Sequence, residues 1–294
     1  MKRVLSAILT TAVLLTAAAL AAEPAGRGGG RVQAPRRVVA LSSTNPEIIR
    51  ALGKGATLVA VDRSAKQLGI ASLDRLPDVG HPYHPNVEGI VALKPDLVLG
   101  NEENFEKTTA EQLRAAGVRV VILEPSHKDG VAGLKRRITK VAALYNEPAK
   151  GRALNAKIDA DVKKLQAKVA AYRTRPKVLF LYAHGPGDAY VYGTDNGADV
   201  LIKMAGGVNG AAFTSGSKPL TAEAMVQASP DAIIMLHRGL SAVKGVDGAL
   251  KLPGVALTPA GRNRRIFAVD NSIRWVGPRF PEFALTLCDQ IHAR

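Results

Sequence analysis

The sequence contains little cysteine and few aromatic residues. Its only cysteine is Cys288, so the chain cannot form an internal disulfide. Aromatic residues make up 4% of the 294 positions, which leaves few surfaces on which nucleic-acid bases could stack. The formal net charge is +15 and favours anionic ligands. We therefore expect no disulfide framework and no nucleic-acid partner.

The common signatures of catalysis are absent as well. The sequence has no G-x-S-x-G nucleophile elbow, no H-E-x-x-H zinc motif and no P-loop. Cys288 lies in a predicted terminal helix, where a catalytic nucleophile is not expected. These absences argue against an enzyme. A hydrolase whose residues come together only in the fold is the alternative from another class.

The N-terminal residues are typical of a secretory signal peptide. After MKR, residues 4–20 are apolar and the stretch ends in small residues. No later stretch approaches the ~18 consecutive apolar residues of a membrane span. No cysteine lies near the cleavage site, so we predict a cleaved signal peptide over 1–21, no lipid anchor and a periplasmic location. Residues 22–37 are rich in Gly, Pro and Arg and are predicted to form a flexible leader.

Short apolar runs alternate with helical stretches in two parts of the chain, which is typical of parallel strands covered by helices on both faces. Between them, a charged periodic segment predicts one helix of roughly 37 Å. The predicted fold class is α/β: two similar lobes with mostly parallel sheets, over 38–147 and 174–294, joined by a long helix over 148–173. Any ligand should lie in the cleft between the lobes. Asn45 is the expected N-cap of the first helix.

An internal repeat links the two lobes. The segment from Val87 to Gly100 aligns without gaps on the segment from Ala222 to Met235 and matches Glu88 with Glu223. Both segments have the order of a short helix, a Pro-Asp turn and a buried strand. This shared order indicates a structural repeat.

The stretch "GHPYHP" is the strongest candidate for a ligand site. It places His81, Tyr83 and His84 within four residues, and Pro82 and Pro85 restrict the backbone. We predict a constrained loop, rather than a strand, that projects three potential metal ligands. The alternative is an ordinary polar surface loop.

Several motifs resemble those of the substrate-binding proteins of ABC importers for haem, within a class that also includes cobalamin and ferric-siderophore binders. They are "GADVLIKMAGGVNG", "SKPLTAEAMVQASPDAIIM", "GVDGALKLPGVALTP" and "VGPRFP". The resemblance runs from about Arg37 to Ile291. It implies a monomer that captures haem b (hemin) as cargo and delivers it to the permease dimer of an inner-membrane ABC importer. The alternative ligands are cobalamin, a ferric siderophore, or a divalent metal held by His81 and His84.

The resemblance also implies ferric iron held by a tyrosine phenolate, an anionic oxygen ligand that suits Fe(III). In many relatives this tyrosine directly follows the glycine of "VG", where the present chain has His81. The iron ligand is therefore Tyr83 by a shift of the loop, His81 by replacement, or both through exchange. His184 stands where some relatives carry a second axial ligand.

Further residues are expected around the macrocycle. Tyr190 and Tyr192 lie in a predicted loop from Ala183 to Thr194 and could stack on the porphyrin or bind a propionate. Alternatively, they occupy alternating positions of a short strand. Arg274 or Arg279 could bind a propionate through two parallel hydrogen bonds, with Trp275 at the rim of the cleft.

Glu88 and Glu223 are the expected permease contacts. In related importers a pair of glutamates, one on each lobe, meets arginines on the two permease subunits. The alternative is that each carboxylate only stabilises the N-terminus of its own helix through the helix dipole.

Overall fold

The computed structural model describes residues 33–185 and 187–293, except for the side chain of Lys107. The predicted signal peptide and most of the predicted leader lie outside these residues. In the described part of the chain, no helix is long and apolar enough to cross a membrane.

The β-strands of the described residues are β1 (Val38–Ala40), β2 (Leu58–Val61), β3 (Gly80–His81), β4 (His84–Pro85), β5 (Leu97–Asn101), β6 (Val120–Leu123), β7 (Lys177–Gly185), β8 (Asp188–Tyr192), β9 (Val208–Asn209), β10 (Ser217–Pro219), β11 (Ala232–Leu236) and β12 (Ile266–Val269). The α-helices are α1 (Thr44–Ala51), α2 (Ala71–Asp74), α3 (Val87–Ala92), α4 (Lys107–Ala115), α5 (Gly130–Leu144), α6 (Pro148–Ala170), α7 (Gly197–Met204), α8 (Ala222–Ala228), α9 (His237–Ala242), α10 (Gly245–Ala249), α11 (Pro259–Arg262) and α12 (Phe280–His292).

Two separate main sheets form the mixed α/β architecture, so the predicted fold class is confirmed. The N-terminal lobe, from β1 to α5, has a parallel sheet in the order β2-β1-β5-β6. The C-terminal lobe, from β7 to α12, has the order β10-β8-β7-β11-β12, and β9 also pairs with β7. Strands β1, β5 and β11 are buried throughout, as expected of strands covered on both faces.

Two predicted loops contain strand pairing instead. The stretch from Ala183 to Thr194 contains the end of β7 and all of β8, which pair antiparallel. Tyr190 pairs with Tyr182, and Gly187 has the positive φ of +83° that the connecting turn requires. The "GHPYHP" stretch also contains a small antiparallel pair, β3 with β4. Both predictions of a strand-free loop were wrong, because Gly and Pro residues mark the turns of these hairpins.

The long helix α6 begins with Pro148 at its first turn and ends at Ala170, three residues before the predicted end at 173. Its 23 residues span about 34 Å. Its buried positions, Gly151, Ile158 and Leu165, recur every seven residues and form one narrow stripe. At Gly151 an added Cβ would lie 2.6 Å from the Cβ of Ala142, so glycine allows α5 to pack closely.

The repeated segments fold alike down to their hydrogen bonds. The carboxylate of Asp96 accepts from the backbone N–H groups of Arg36 and Arg37, and the Asp96 N–H donates back to Arg37 at 2.9 Å. Asp231 accepts from the N–H of Lys177 at 2.8 Å and donates back at 2.7 Å. Each aspartate therefore ties its buried strand to the first strand of its lobe.

The first helix begins earlier than predicted. Its N-cap is Ser43, and Asn45 is buried inside its first turn. The Asn45 side-chain amide donates to the carbonyl of Leu41 at 2.7 Å and to Oδ1 of Asn101 at 2.9 Å. The prediction of Asn45 as N-cap was wrong because this amide joins the ends of β1 and β5.

Candidate functional site

One open cleft of about 290 Å³ lies between the two lobes. Tyr83 and its loop form one side, and strands β7 and β8 form the other. Six of the predicted ligand-binding residues line it: His81, Tyr83, His184, Tyr190, Tyr192 and Arg274. The other lining residues are Pro82, Tyr182, Asp188 and Ser217.

The β3–β4 hairpin turns Tyr83 into the cleft. Gly80 has φ +104°, a conformation that favours glycine, and its N–H donates to Oδ1 of Asp78 at 2.7 Å. On the other side of the turn, the side-chain amide of the buried Asn104 donates to the carbonyl of Pro82 at 2.8 Å. The loop is therefore held from both sides, and Tyr83 is half-buried.

Tyr83 meets Arg274 across the cleft, where Nη2 of Arg274 donates to the tyrosine hydroxyl at 3.2 Å. The guanidinium also lies 5.1 Å from the ring centre of Tyr182 and 4.9 Å from that of Trp275, both cation–π distances. Burial raises the pKa of Tyr83, while the charge of Arg274 opposes that shift. The free protein therefore holds a neutral phenol beside a cation that stabilises the phenolate once an electrophile binds.

The predicted histidines differ in position. His81 is exposed, and its pKa is lowered, first by burial of its ring and then by the nearby charges of His84, Arg63 and Arg274. A lowered pKa favours neutral imidazole, the form that binds metals. His84 is not among the residues that line the cleft, and its Nδ1 lies 3.0 Å from Oε1 of Glu106.

The aromatic residues of the C-terminal lobe present a cluster of rings. Tyr190 and Tyr192 are alternating positions of β8, as the strand alternative predicts, and both also line the cleft. The Tyr192 ring lies 5.8 Å from Tyr182, and the His184 ring packs edge-on against Tyr182 at 4.6 Å. Trp275 lies beneath Arg274 and is 5% exposed, so it does not form the rim.

Comparison with known proteins places these features in a family, because residues 38–273 match the model described as periplasmic binding protein. The chain belongs to the periplasmic binding protein family. It is similar to the periplasmic heme-binding protein RhuT from Roseiflexus sp. RS-1, with 37% identity and a TM-score of 0.82, over 87% of this chain and 98% of that structure. It is also similar to the periplasmic heme-binding protein BhuT, solved with two hemes, with 33% identity and a TM-score of 0.80. That match covers 87% of this chain and 97% of that structure.

A curated relative binds a different ligand. The vitamin B12-binding protein of Yersinia pestis is 27% identical over 263 residues, which are 88% of this chain and 87% of that protein. The family and these relatives make the chain a substrate-binding protein of the haem, cobalamin and siderophore class. The prediction that it is not an enzyme is confirmed, and the class implies an ABC permease as partner.

A three-point clamp connects the lobes of this binding protein beside the cleft. Besides the bond from Arg274 to Tyr83, Nη2 of the buried Arg137 donates to the carbonyl of Val276 at 2.9 Å. Arg279 donates through its backbone N and its Nε to Oε1 of Glu47, at 3.0 and 3.1 Å. The segment 274–279 is thus bonded to three elements of the N-terminal lobe.

This clamp changes the expectation for Arg279. Its guanidinium binds Glu47 of the other lobe, and Arg279 is not among the residues that line the cleft, so Arg274 is the better candidate for a propionate partner. Glu47 is 7% exposed. Burial raises the pKa of Glu47 to about 7, opposed by the charge of Arg279.

Sequence reasoning missed Tyr182, Asn104 and Arg238. Tyr182 could have been found, because it lies two residues before His184 on one strand and therefore shares its face. Arg238 directly follows the first residue after β11, at the end where ligands bind in α/β sheets. Asn104 carries no sequence signal, because its bond to Pro82 joins residues 22 positions apart.

Proposed function

We propose that the protein captures ferric haem b (hemin) in the cleft between its lobes and delivers it to an ABC importer. The observation that carries this proposal is the Tyr83 hydroxyl lying 3.2 Å from Arg274. A phenolate oxygen suits Fe(III), and the guanidinium lowers the cost of losing the phenolic proton. The resemblance to the heme-binding RhuT and BhuT supports the same ligand.

Tyr83 is the proposed iron ligand. His81 is the alternative on the same hairpin, and His184 is the proposed second ligand from the opposite lobe. Tyr190 and Tyr192 offer rings to the macrocycle face. Because His84 faces Glu106 and Trp275 is buried, these two residues support the site from outside its lining.

The visible spectrum of the hemin complex tests this proposal. Titration of the parent should give a saturable change in the Soret band. Tyr83→Phe should lose most of the affinity and change the spectrum, because it removes only the ligand oxygen. His81→Ala tests whether His81 binds the iron instead, and His184→Ala tests whether His184 is the second ligand. Tyr172→Phe, whose ring stacks on His292 instead of lining the cleft, is the control.

Cobalamin is the second candidate because the curated relatives include vitamin B12-binding proteins. It predicts tight binding of cyanocobalamin and no saturable Soret change with hemin. If the Tyr83, His81 and His184 variants all keep the parental hemin spectrum, the cleft does not hold the iron.

Delivery is proposed to use Glu88 and Glu223, which are both exposed in the first turns of α3 and α8. Each helix already has a side-chain cap. The Asn86 side chain accepts from the N–H of Gly89, and the Thr221 hydroxyl accepts from the N–H of Ala224. A hydrogen bond from its own backbone and then one from Thr221 lower the pKa of Glu223, so this residue is ionised. Two equivalent carboxylates define one docking orientation on a two-fold permease.

A further inference from the structure

We propose that Asn104 is a positioning residue that acts through Tyr83, because its side chain holds the turn from which this tyrosine enters the cleft. The inference rests on the proposed function, since Tyr83 is the proposed iron ligand. Asn104 is fully buried and is not among the residues that line the cleft. It therefore acts on the ligand only through the turn.

The turn between β3 and β4 lacks the features that stabilise such a turn by itself. Its two central residues are Pro82 and Tyr83, because His81 pairs with His84. The favoured two-residue hairpin turns need a positive φ at the first central residue, which the proline ring forbids. Tyr83 is likewise not among the described residues with a positive φ. Because each strand has only two residues, contacts from outside the hairpin must fix Tyr83.

Asn104 supplies that contact from the N-terminal lobe. Its Nδ2 donates to the carbonyl of Pro82 at 2.8 Å. The Tyr83 N–H donates to Nδ1 of His81 in the same hairpin, and the Tyr83 hydroxyl accepts from Arg274 of the other lobe. Within the described residues, the bond from Asn104 is thus the one hydrogen bond between the two turn residues and the body of their own lobe.

Two further asparagines fix Asn104 in turn. Its Oδ1 accepts from the N–H of Asn101 at 2.8 Å, and Nδ2 of Asn101 donates to the carbonyl of Glu124 at 2.6 Å. Oδ1 of Asn101 accepts from Nδ2 of Asn45 at 2.9 Å. All three asparagines are fully buried, so water does not compete for these bonds. The turn is thereby tied to the ends of β1, β5 and β6.

The position of the turn affects the chemistry of the phenol. Burial raises the pKa of Tyr83, and the charge of Arg274 opposes that shift. The opposing charge acts at its present strength only while the hydroxyl stays 3.2 Å from Nη2 of Arg274. A displacement of about 1 Å is enough to impair a metal site. A loosened turn would therefore lose both the reach of the phenol and the charge that favours its phenolate.

A double-mutant cycle on hemin affinity, measured by the Soret change, tests this role. Asn104→Ala should weaken hemin binding by about tenfold, as expected for the loss of one buried hydrogen bond. In the Tyr83→Phe background the same change should weaken binding by less than about twofold, because the ligand oxygen is already absent. The spectrum of the Asn104→Ala complex should also shift towards that of Tyr83→Phe. Parental affinity and spectrum in Asn104→Ala, or equal losses in both backgrounds, would overturn the proposal.

Thr258→Ala is the control for a general loss of stability. Thr258 is buried, lies outside the cleft lining and caps α11 by accepting from the N–H of Gly261 at 3.0 Å. The variant should unfold at a lower urea concentration and change hemin affinity by less than about twofold. If it weakened hemin binding as much as Asn104→Ala does, the effect of Asn104 would be destabilisation and not positioning.

Amide hydrogen exchange of the free protein gives a second measurement that needs no ligand. Asn104→Ala should speed exchange in the hairpin, residues 80–84, by about tenfold relative to the parent and leave the amides of β11 unchanged. If this variant folds poorly, Asn104→Asp keeps the side-chain shape and the acceptor for the Asn101 N–H but lacks the amide donor.

The outcomes separate the two proposals. Unchanged exchange in the hairpin would overturn the positioning role of Asn104 and leave the proposed function intact. Failure of the parent to bind hemin would overturn the proposed function instead. Faster exchange confined to the hairpin would then still support the hold of Asn104 on the turn.

Discussion

The two lobes share one structural unit but contribute different chemistry to the cleft. In each lobe an aspartate ties a buried strand to the first strand, through Asp96 in one and Asp231 in the other. The N-terminal lobe keeps a purely parallel sheet and presents His81 and Tyr83 on a small hairpin. The C-terminal lobe adds an antiparallel hairpin to its sheet. The repeated unit therefore builds the scaffold, while the two hairpins carry most of the proposed ligand-binding side chains.

The charges follow the same division. The arginine that lines the cleft, Arg274, comes from the C-terminal lobe, whereas the proposed phenolate ligand comes from the N-terminal lobe. Arg274 reaches across the cleft through its bond to Tyr83. The proposed metal donor on one wall and a cation with aromatic rings on the other suit the proposed haem cargo.

The largest expected effect tests whether the lobes are equivalent at the permease. Glu88→Lys combined with Glu223→Lys should reduce haem delivery to permease-containing vesicles by about 100-fold or more, because two attractive contacts become repulsive. Hemin binding in solution should stay unchanged, since both residues are exposed and lie outside the cleft lining. Delivery at the parental rate by the double variant would leave these glutamates as helix-stabilising residues only.

The next effect tests which lobe supplies the iron ligand. Tyr83→Phe should weaken hemin binding by about 100-fold, because the iron loses an anionic ligand. Tyr190→Phe keeps its ring and should cost less than about threefold. Both affinities are measured by the Soret change. If the Tyr190 variant lost more than the Tyr83 variant, the iron ligand would belong to the C-terminal lobe.

The hydrogen bonds of the shared unit can be removed in either lobe. Asp96→Ala and Asp231→Ala should each destabilise the protein by about 1–3 kcal/mol, because backbone donors lose a carboxylate acceptor. Asp96 accepts from two N–H groups and Asp231 from one, so the Asp96 variant should lose more. Urea unfolding measures both free energies. A larger loss in the Asp231 variant would show that the two units differ in energy despite their common geometry.

The pH dependence of stability tests the clamp between the lobes. Glu47 has a folded pKa of about 7, above its ordinary value of 4.5, so the folded state holds the proton more strongly. Its contribution to stability is therefore present below pH 4.5 and is lost as the pH rises towards 7. The loss should be on the order of 1–3 kcal/mol. Glu47 faces Arg279, and the charge of Asp270 also raises its pKa.

Glu47→Gln is the matched variant, since it keeps the shape and removes the titration. Its free energy of unfolding, followed from pH 4.5 to 7.5, should fall less steeply than that of the parent. Identical slopes for the two proteins would show that Glu47 does not titrate in this range.

The sequence predicted the scaffold better than the site, for a physical reason. Strands such as β5 and β11 are continuous apolar runs, and helices such as α6 have a periodic pattern, so local sequence carries their signal. The site depends on pairs that are far apart in the chain. Arg274 and Tyr83 are 191 residues apart, and Arg238 and Tyr182 are 56 apart. No local pattern encodes those contacts, and the Asn45 amide was misassigned because its partner lies on another strand.

The smallest expected effect concerns motion between the lobes. Helix α6 has no glycine after Gly151 that could act as a hinge. The clamp also bonds Arg137 of the N-terminal lobe to Val276 and Arg279 of the C-terminal lobe to Glu47. Large closure is therefore disfavoured, and small-angle scattering should show little change in the radius of gyration when hemin binds. Combining Glu47→Ala with Arg279→Ala removes one attachment of the clamp and should allow a larger change. A pronounced compaction of the parent would show that the clamp opens during capture. The lobes would then be separate moving bodies, and the Arg274–Tyr83 bond would be a product of closure instead of a fixed feature of the free site.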